Sequence, residues 1–111
     1  MLVVQGILLI KMIVKKHVNG GRLVLAACDN SLINKRFEDS GMVLDLTSTF
    51  YKGEKMSETE FTALIKKAHI LNVVGKETVG FLIGLGVGDE KKVKCVAGIP
   101  HLQIIFGGKT N

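Results

Sequence analysis

MIVKKHVNGGRLVLAAC, Met12 to Cys28, is the stretch whose reading decides the fold. Its two β-rich arms, Met12 to Val18 and Arg22 to Cys28, are joined by Asn19-Gly20-Gly21. Asn and Gly tolerate the positive φ angles of a tight hairpin turn, so two antiparallel strands are expected here. On the second arm Leu23, Leu25 and Ala27 alternate with Val24, Ala26 and Cys28. Both sets are apolar, which places this strand centrally, with both faces covered.

Downstream of the hairpin, Asp29 or Ser31 can cap a short helical turn through Leu32 and Ile33, and Asn34 tolerates the left-handed conformation that ends it. The run Met42 to Thr47 alternates in hydrophobicity and reads as a third strand, after which Phe50-Tyr51-Lys52-Gly53 closes a loop. Ser57-Glu58-Thr59-Glu60 has the form of a capping box, with Met56 and Phe61 placed as its hydrophobic staple. Phe61, Leu64, Ile65 and Ala68 follow at helical spacing and predict a helix from about Glu58 to His69.

Asn72 is expected to cap a second helix through Thr78, Phe81, Leu82 and Leu85, ended by Gly86. Gly75, Gly80 and Gly84 lie inside or near it, and such glycines point to close packing against a neighbour. Val93 to Ala97 and Leu102 to Phe106 read as the last two strands, with Gly98-Ile99-Pro100-His101 between them. Strands flanking a helical pair give an α+β domain. The expected architecture is a two-layer, mostly antiparallel sheet of about five strands with the helical pair on one face.

At 111 residues, 47% apolar and 23% charged, the chain is expected to hold one globular domain over residues 12–106, with 107–111 as a flexible tail. Met1 to Lys11 reads as an N-terminal extension, an added edge strand or a misassigned start, because Met12 stands directly before the strand pattern. This apolar opening is shorter than the roughly 20 residues of a membrane-spanning helix and lacks a signal peptide's basic n-region. The two cysteines, Cys28 and Cys95, show no paired spacing, which favours a reducing, cytoplasmic compartment over a disulfide-stapled secreted domain.

The segments Leu25-Ala26-Ala27-Cys28-Asp29, Phe50-Tyr51-Lys52-Gly53, Ala68 to Glu77 and Gly98-Ile99-Pro100-His101-Leu102-Gln103 together resemble a family of small archaeal proteins, the domain of unknown function 424. The resemblance covers about Met12 to Ile105. It implies an archaeal cytoplasmic source, a start near Met12 and a compact α/β domain, and it implies no known reaction. This chain has Asn34 where the family tends to show Gly, and Gly80 and Gly84 where small or apolar helix formers are more usual.

Cys28 and His101 are the candidate catalytic pair, since a thiol needs a nearby imidazole or positive field to ionise near neutral pH; Asp29 or Gln103 would orient the base. A buried, inert strand-end cysteine and a helix-capping Asp29 are the plainer alternatives. Pro100 fixes the backbone before His101 and Gly98 frees the turn, a combination that can aim the ring. Cys28, Cys95 and His101 are ligand types without paired metal-ligand spacing, so no metal or cofactor is expected. Gly75-Lys76-Glu77 lacks the preceding Gly and following Ser or Thr of a phosphate loop.

Fifteen basic against ten acidic residues give a net charge of +5, which favours an anionic partner such as RNA. The charges come as thin pairs, Lys15-Lys16, Lys66-Lys67 and Lys91-Lys92, and most read as solvated surface. The elbow Asn72-Val73-Val74-Gly75-Lys76 could offer amides and Lys76 to a phosphate. Tyr51-Lys52 supplies an aromatic-basic pair of the kind that stacks on bases. The expected binding set is therefore Asp29, Tyr51, Lys52, Asn72, Lys76, Pro100, His101 and Gln103, in a non-catalytic module that touches RNA or a ribonucleoprotein. A small thiol-dependent hydrolase or transferase built on Cys28 and His101 is the second expectation. A homodimer or interaction subunit pairing through the N-terminal strand is the third.

Overall fold

Gly20 and Gly21 adopt φ angles of 59° and 80° and join β1 (Lys11–Asn19) to β2 (Arg22–Asp29) in antiparallel register, so the Met12-to-Cys28 hairpin forms as its sequence requires. The computed structural model describes residues 11–106; the expectations for an N-terminal extension, its dimer strand and a C-terminal tail lie outside the described residues. The remaining elements are β3 (Arg36–Asp39), β4 (Met42–Asp45), β5 (Glu54–Ser57), α1 (Glu58–Ile65), β6 (Ile70–Val74), α2 (Lys76–Gly84), β7 (Lys94–Val96) and β8 (Ile99–Ile105). Short 3-10 turns occupy Asn30–Leu32, Thr49–Tyr51 and Glu90–Lys92.

The fold is α+β, with a six-stranded, mostly antiparallel sheet in the order β5-β1-β2-β6-β8-β7 and a separate β3-β4 hairpin. The β2-β6 pair at its centre is parallel. β2 is central as its two apolar faces demand: Leu25, Ala26, Ala27 and Cys28 are all fully buried. One sheet face, with Met12, Val14, Leu25, Ala27, Leu71, Val73 and Leu102, packs against Phe61 and Ile65 of α1 and Val79 and Leu82 of α2. Burial of Phe61 alone contributes on the order of 1.5–3 kcal/mol. The opposite face, with Ile13, Cys28 and Val74, is covered by Leu46, Phe37, Leu44 and Tyr51 from the hairpin and the turn after it.

The capping box forms as written in the sequence: the Glu60 amide donates to Ser57 Oγ at 3.2 Å, and the Ser57 amide to Glu60 Oε1 at 2.9 Å. Met56 and Phe61 enter one buried cluster, as a staple would. Asn34 and Gly86 take the expected left-handed φ, 68° and 76°. Gly86 N–H donates to Ile83 and Val87 N–H to Leu82, the paired bonds of a Schellman ending.

Three readings change. First, Asn72 does not cap a helix: Ile70 to Val74 is strand β6, and α2 begins only at Lys76 after Gly75, whose φ is 111°. The β-branched Ile70, Val73 and Val74 prefer the pleated conformation, and pairing with β2 decides the matter. Second, Pro100 and His101 lie within β8 rather than between strands, because the connection from β7 is the two-residue turn Ala97-Gly98 with φ angles of 52° and 80°. Third, Gly80 and Gly84 meet nothing: a Cβ built at either would have no atom within 4 Å. Of the three glycines in or near this helix the expected close approach holds at Gly75, where a Cβ would collide with the Asp29 carboxyl group, and Gly53 is as tight against the Val14 carbonyl.

These glycines predict opposite signs. Gly80→Ala should stabilise the protein by up to about 1 kcal/mol, the helix-propensity difference in an exposed interior position. Gly75→Ala should destabilise it by more than that, since strain and collision coincide. Urea unfolding midpoints of the two variants measure both, and equal midpoints would refute the assignment.

Candidate functional site

The positions singled out in the sequence divide into a buried lock and an open strip. The lock is Asp29, 6% exposed at the end of β2. Expected to cap the short turn at its own strand end, it instead reaches α2. There it accepts from the Glu77 amide at 3.1 Å, the Thr78 amide at 2.8 Å and the Thr78 hydroxyl at 2.7 Å. The adjacent 3-10 turn has no side-chain cap bond at all. A carboxylate at a helix N-terminus meets free N–H groups and the positive end of the dipole, so it joins β2 to α2 strongly.

Lys76 is the exposed first residue of that helix, and the anion seat expected at its elbow is already filled by Asp29. An external phosphate would compete with an internal carboxylate for the Glu77 and Thr78 amides.

Cys28 and His101 are not brought together. Cys28 pairs with Val74, and Val74 with His101, so Val74 separates them within one row of the sheet. Two strand spacings put their backbones about 10 Å apart. Cys28 is 0% exposed, and burial, reinforced by the neighbouring Asp29, pushes its thiol up to about 12. No thiolate forms near neutral pH in that setting. Tyr51 packs against the same cluster and edge-on to Phe50 at 5.1 Å. Burial, then the Cys28 thiol, raises its hydroxyl's pKa above the usual phenol range, so the ring is a core component rather than a free stacking surface.

The open strip runs along β8. Asn72 lies directly opposite Gln103 on the sheet face away from the helices, one row from the Val74–His101 pair. The bonds Phe106 N–H to His69 O and Gly75 N–H to Pro100 O fix the ladder pattern. Asn72 and Gln103 therefore form a non-hydrogen-bonded pair, the arrangement whose side chains approach most closely. The same alternation turns the main-chain groups of His101, Gln103 and Ile105 outward. Those of His101 meet Lys94 on β7, whereas Gln103 and Ile105 lie beyond the start of β7.

At that edge Lys91, Lys92, Lys94, His101, Leu102 and Gln103 line a cleft of about 450 Å³. The three lysines are exposed and make no ion pair among the described residues. Burial, with Lys94 beside it, holds His101 below the usual histidine range, so its ring is neutral at pH 7. Lys52 stands at the other side of the sheet, with Lys15, Lys16 and Gly53, on a smaller cleft of about 260 Å³.

The lysines were hidden by separation: Lys91-Lys92 reads as a surface pair until β7 and β8 fold back on it. Among the described residues no three His, Cys, Asp or Glu side chains gather into a metal-ligand set. No described helix is long and apolar enough to cross a membrane.

The environment of the two cysteines predicts a sharp contrast. At pH 7.5 a thiol reagent should modify exposed Cys95 promptly and leave Cys28 intact until denaturant is added. Rapid labelling of both in the native protein would contradict the burial of Cys28.

No curated protein matches the chain. Among solved structures, an uncharacterized conserved protein from Methanopyrus kandleri is similar in fold, with a TM-score of 0.71 at 21% identity, over 85% of this chain and 90% of that one. The model of a family described as protein of unknown function, DUF424, matches residues 17–106, and the chain belongs to that family.

Proposed function

We propose that this protein is a non-catalytic binding module of archaeal information processing, working in the cytoplasm, that holds RNA or the RNA of a ribonucleoprotein at the β8 edge. The observation that carries this reading is the convergence of Lys91, Lys92 and Lys94 beside His101 on one cleft, in a chain of net charge +5. Lysines without acidic partners are the usual means of neutralising phosphates, and releasing the counterions that phosphates carry drives such binding. Gln103 and Lys52 belong to the expected set and lie at this cleft and at the smaller one across the sheet. Asp29 and Tyr51 serve the fold in this reading, and Lys76 stands at a helix start whose amides Asp29 already holds. The thiol-enzyme alternative draws no support from a Cys28 buried behind Val74.

Fluorescence-anisotropy titrations at rising salt test it. Binding of mixed-sequence RNA should weaken with a log-log slope of about −0.7 for each phosphate contacted on a single strand. The double variant Lys92→Ala/Lys94→Ala should make that slope shallower and weaken binding to all sequences alike. Acidification should strengthen binding, because protonating His101 adds a positive charge at the cleft, and His101→Gln should remove that gain. An absence of RNA association at low salt would overturn the proposal.

A further inference from the structure

Below the β3-β4 hairpin, the sheet face opposite the helices is covered on its β1-β2 side by the turn Thr49–Tyr51, where Phe50 stacks on His17 at 4.5 Å, and is more open over β6 and β8. Its row Lys15, Ala26, Asn72, Gln103 follows from three successive pairings across β1, β2, β6 and β8. Beside it run Ile70, half-buried, and Ile105, 68% exposed. Lysines stand at both ends. Lys15, Lys52 and Glu54, with Lys16 on the helix side of β1, line the cleft at the β1 side, and Lys91, Lys92 and Lys94 the cleft at the β8 side. Three strand spacings separate the two ends, about 14 Å.

Asn72 and Gln103 set the chemistry between them. Asn is disfavoured in strands, yet here it occupies the middle of β6 with a second amide directly opposite. No hydrogen bond of the described residues uses either side-chain amide, and neither leaves a buried polar atom unsatisfied, so neither amide is sealed from solvent. A primary amide offers a donor and an acceptor side by side, which matches the edge of an unpaired base. In an A-form duplex those edges are turned inward, toward the partner strand or a groove too deep and narrow for side chains.

Resting on the RNA reading above, we infer that the ligand is single-stranded RNA lying over β6 and β8, its phosphates held by Lys91, Lys92 and Lys94 and an unpaired base read by Asn72 and Gln103. A duplex could meet the same lysines but would keep its Watson–Crick edges from both amides.

The test uses the full chain and labelled RNAs of about eight nucleotides, single-stranded or closed into a duplex hairpin. The single strand should bind about tenfold more tightly than the duplex, the discrimination expected of one bidentate amide contact. Gln103→Ala, at an exposed position, should remove that preference and flatten any difference among oligo-A, oligo-C and oligo-U. Gln103→Glu should do the same. Equal binding of single strand and duplex, or a Gln103→Ala protein that keeps the preference, overturns this inference. If the Lys92→Ala/Lys94→Ala effect persists in that case, the broader RNA reading stands without it. No binding of any RNA overturns both.

Discussion

The structure depends on one carboxylate. Asp29 ends β2, and its two oxygens take the first-turn amides of α2 together with the Thr78 hydroxyl. This contact spans the parallel β2-β6 seam, the one place where the chain must return to the sheet in the same direction after a long excursion. Everything else in the sheet is antiparallel and closed by short turns or by neighbours. Gly75 exists on the same terms: a φ of 111° turns the chain from β6 into α2, and the missing side chain leaves the space that Asp29 fills.

From that constraint follows the division of labour among the residues. The helix face is a continuous apolar layer, and the opposite face is apolar beneath the β3-β4 hairpin and mixed below it. Leu46, fully buried, anchors that hairpin through the mutual bonds of its own backbone with Asn34 and Lys35. The hairpin tip is tied to the β7-β8 turn by Asp39, which accepts from the Ala97 amide at 3.2 Å. Below the Cys28–Val74–His101 row the turn Thr49–Tyr51 still covers β1 and β2, while β6 and β8 present the Asn72–Gln103 pair with Ile70 and Ile105 beside it. The candidate site is thus the part of the sheet that the fold does not need to bury.

Local chemistry was legible in the sequence, and long-range pairing was not. The Gly20-Gly21 turn, the Ser57–Glu60 box and the Gly86 ending each depend on residues within a few positions of one another, and each formed as read. Asn72 illustrates the limit. A polar residue before Val73-Val74-Gly75-Lys76 has the look of a helix cap, and only the β2 and β8 partners on either side make it a strand residue. Asp29 failed for the same reason, since its true partners lie 48 and 49 residues away. His101 and Gln103 were singled out in the sequence and lie at one cleft, but the lysines beside them and the pairing of Asn72 with Gln103 needed the sheet order to be found.

The length of that excursion also bears on how the molecule reaches its native state. The β1-β2 and β7-β8 hairpins close over two-residue turns and can form on the microsecond scale typical of such units. Joining Asp29 to Thr78 means closing 49 residues of chain, an entropic cost of about 3 kcal/mol before the contact returns anything. The slow step of folding should accordingly be the docking of β6 and α2 onto a preformed hairpin. Until then both margins of β2-β6 stand open as unpaired strand edges, the form in which a small sheet protein is most exposed to association with its own kind.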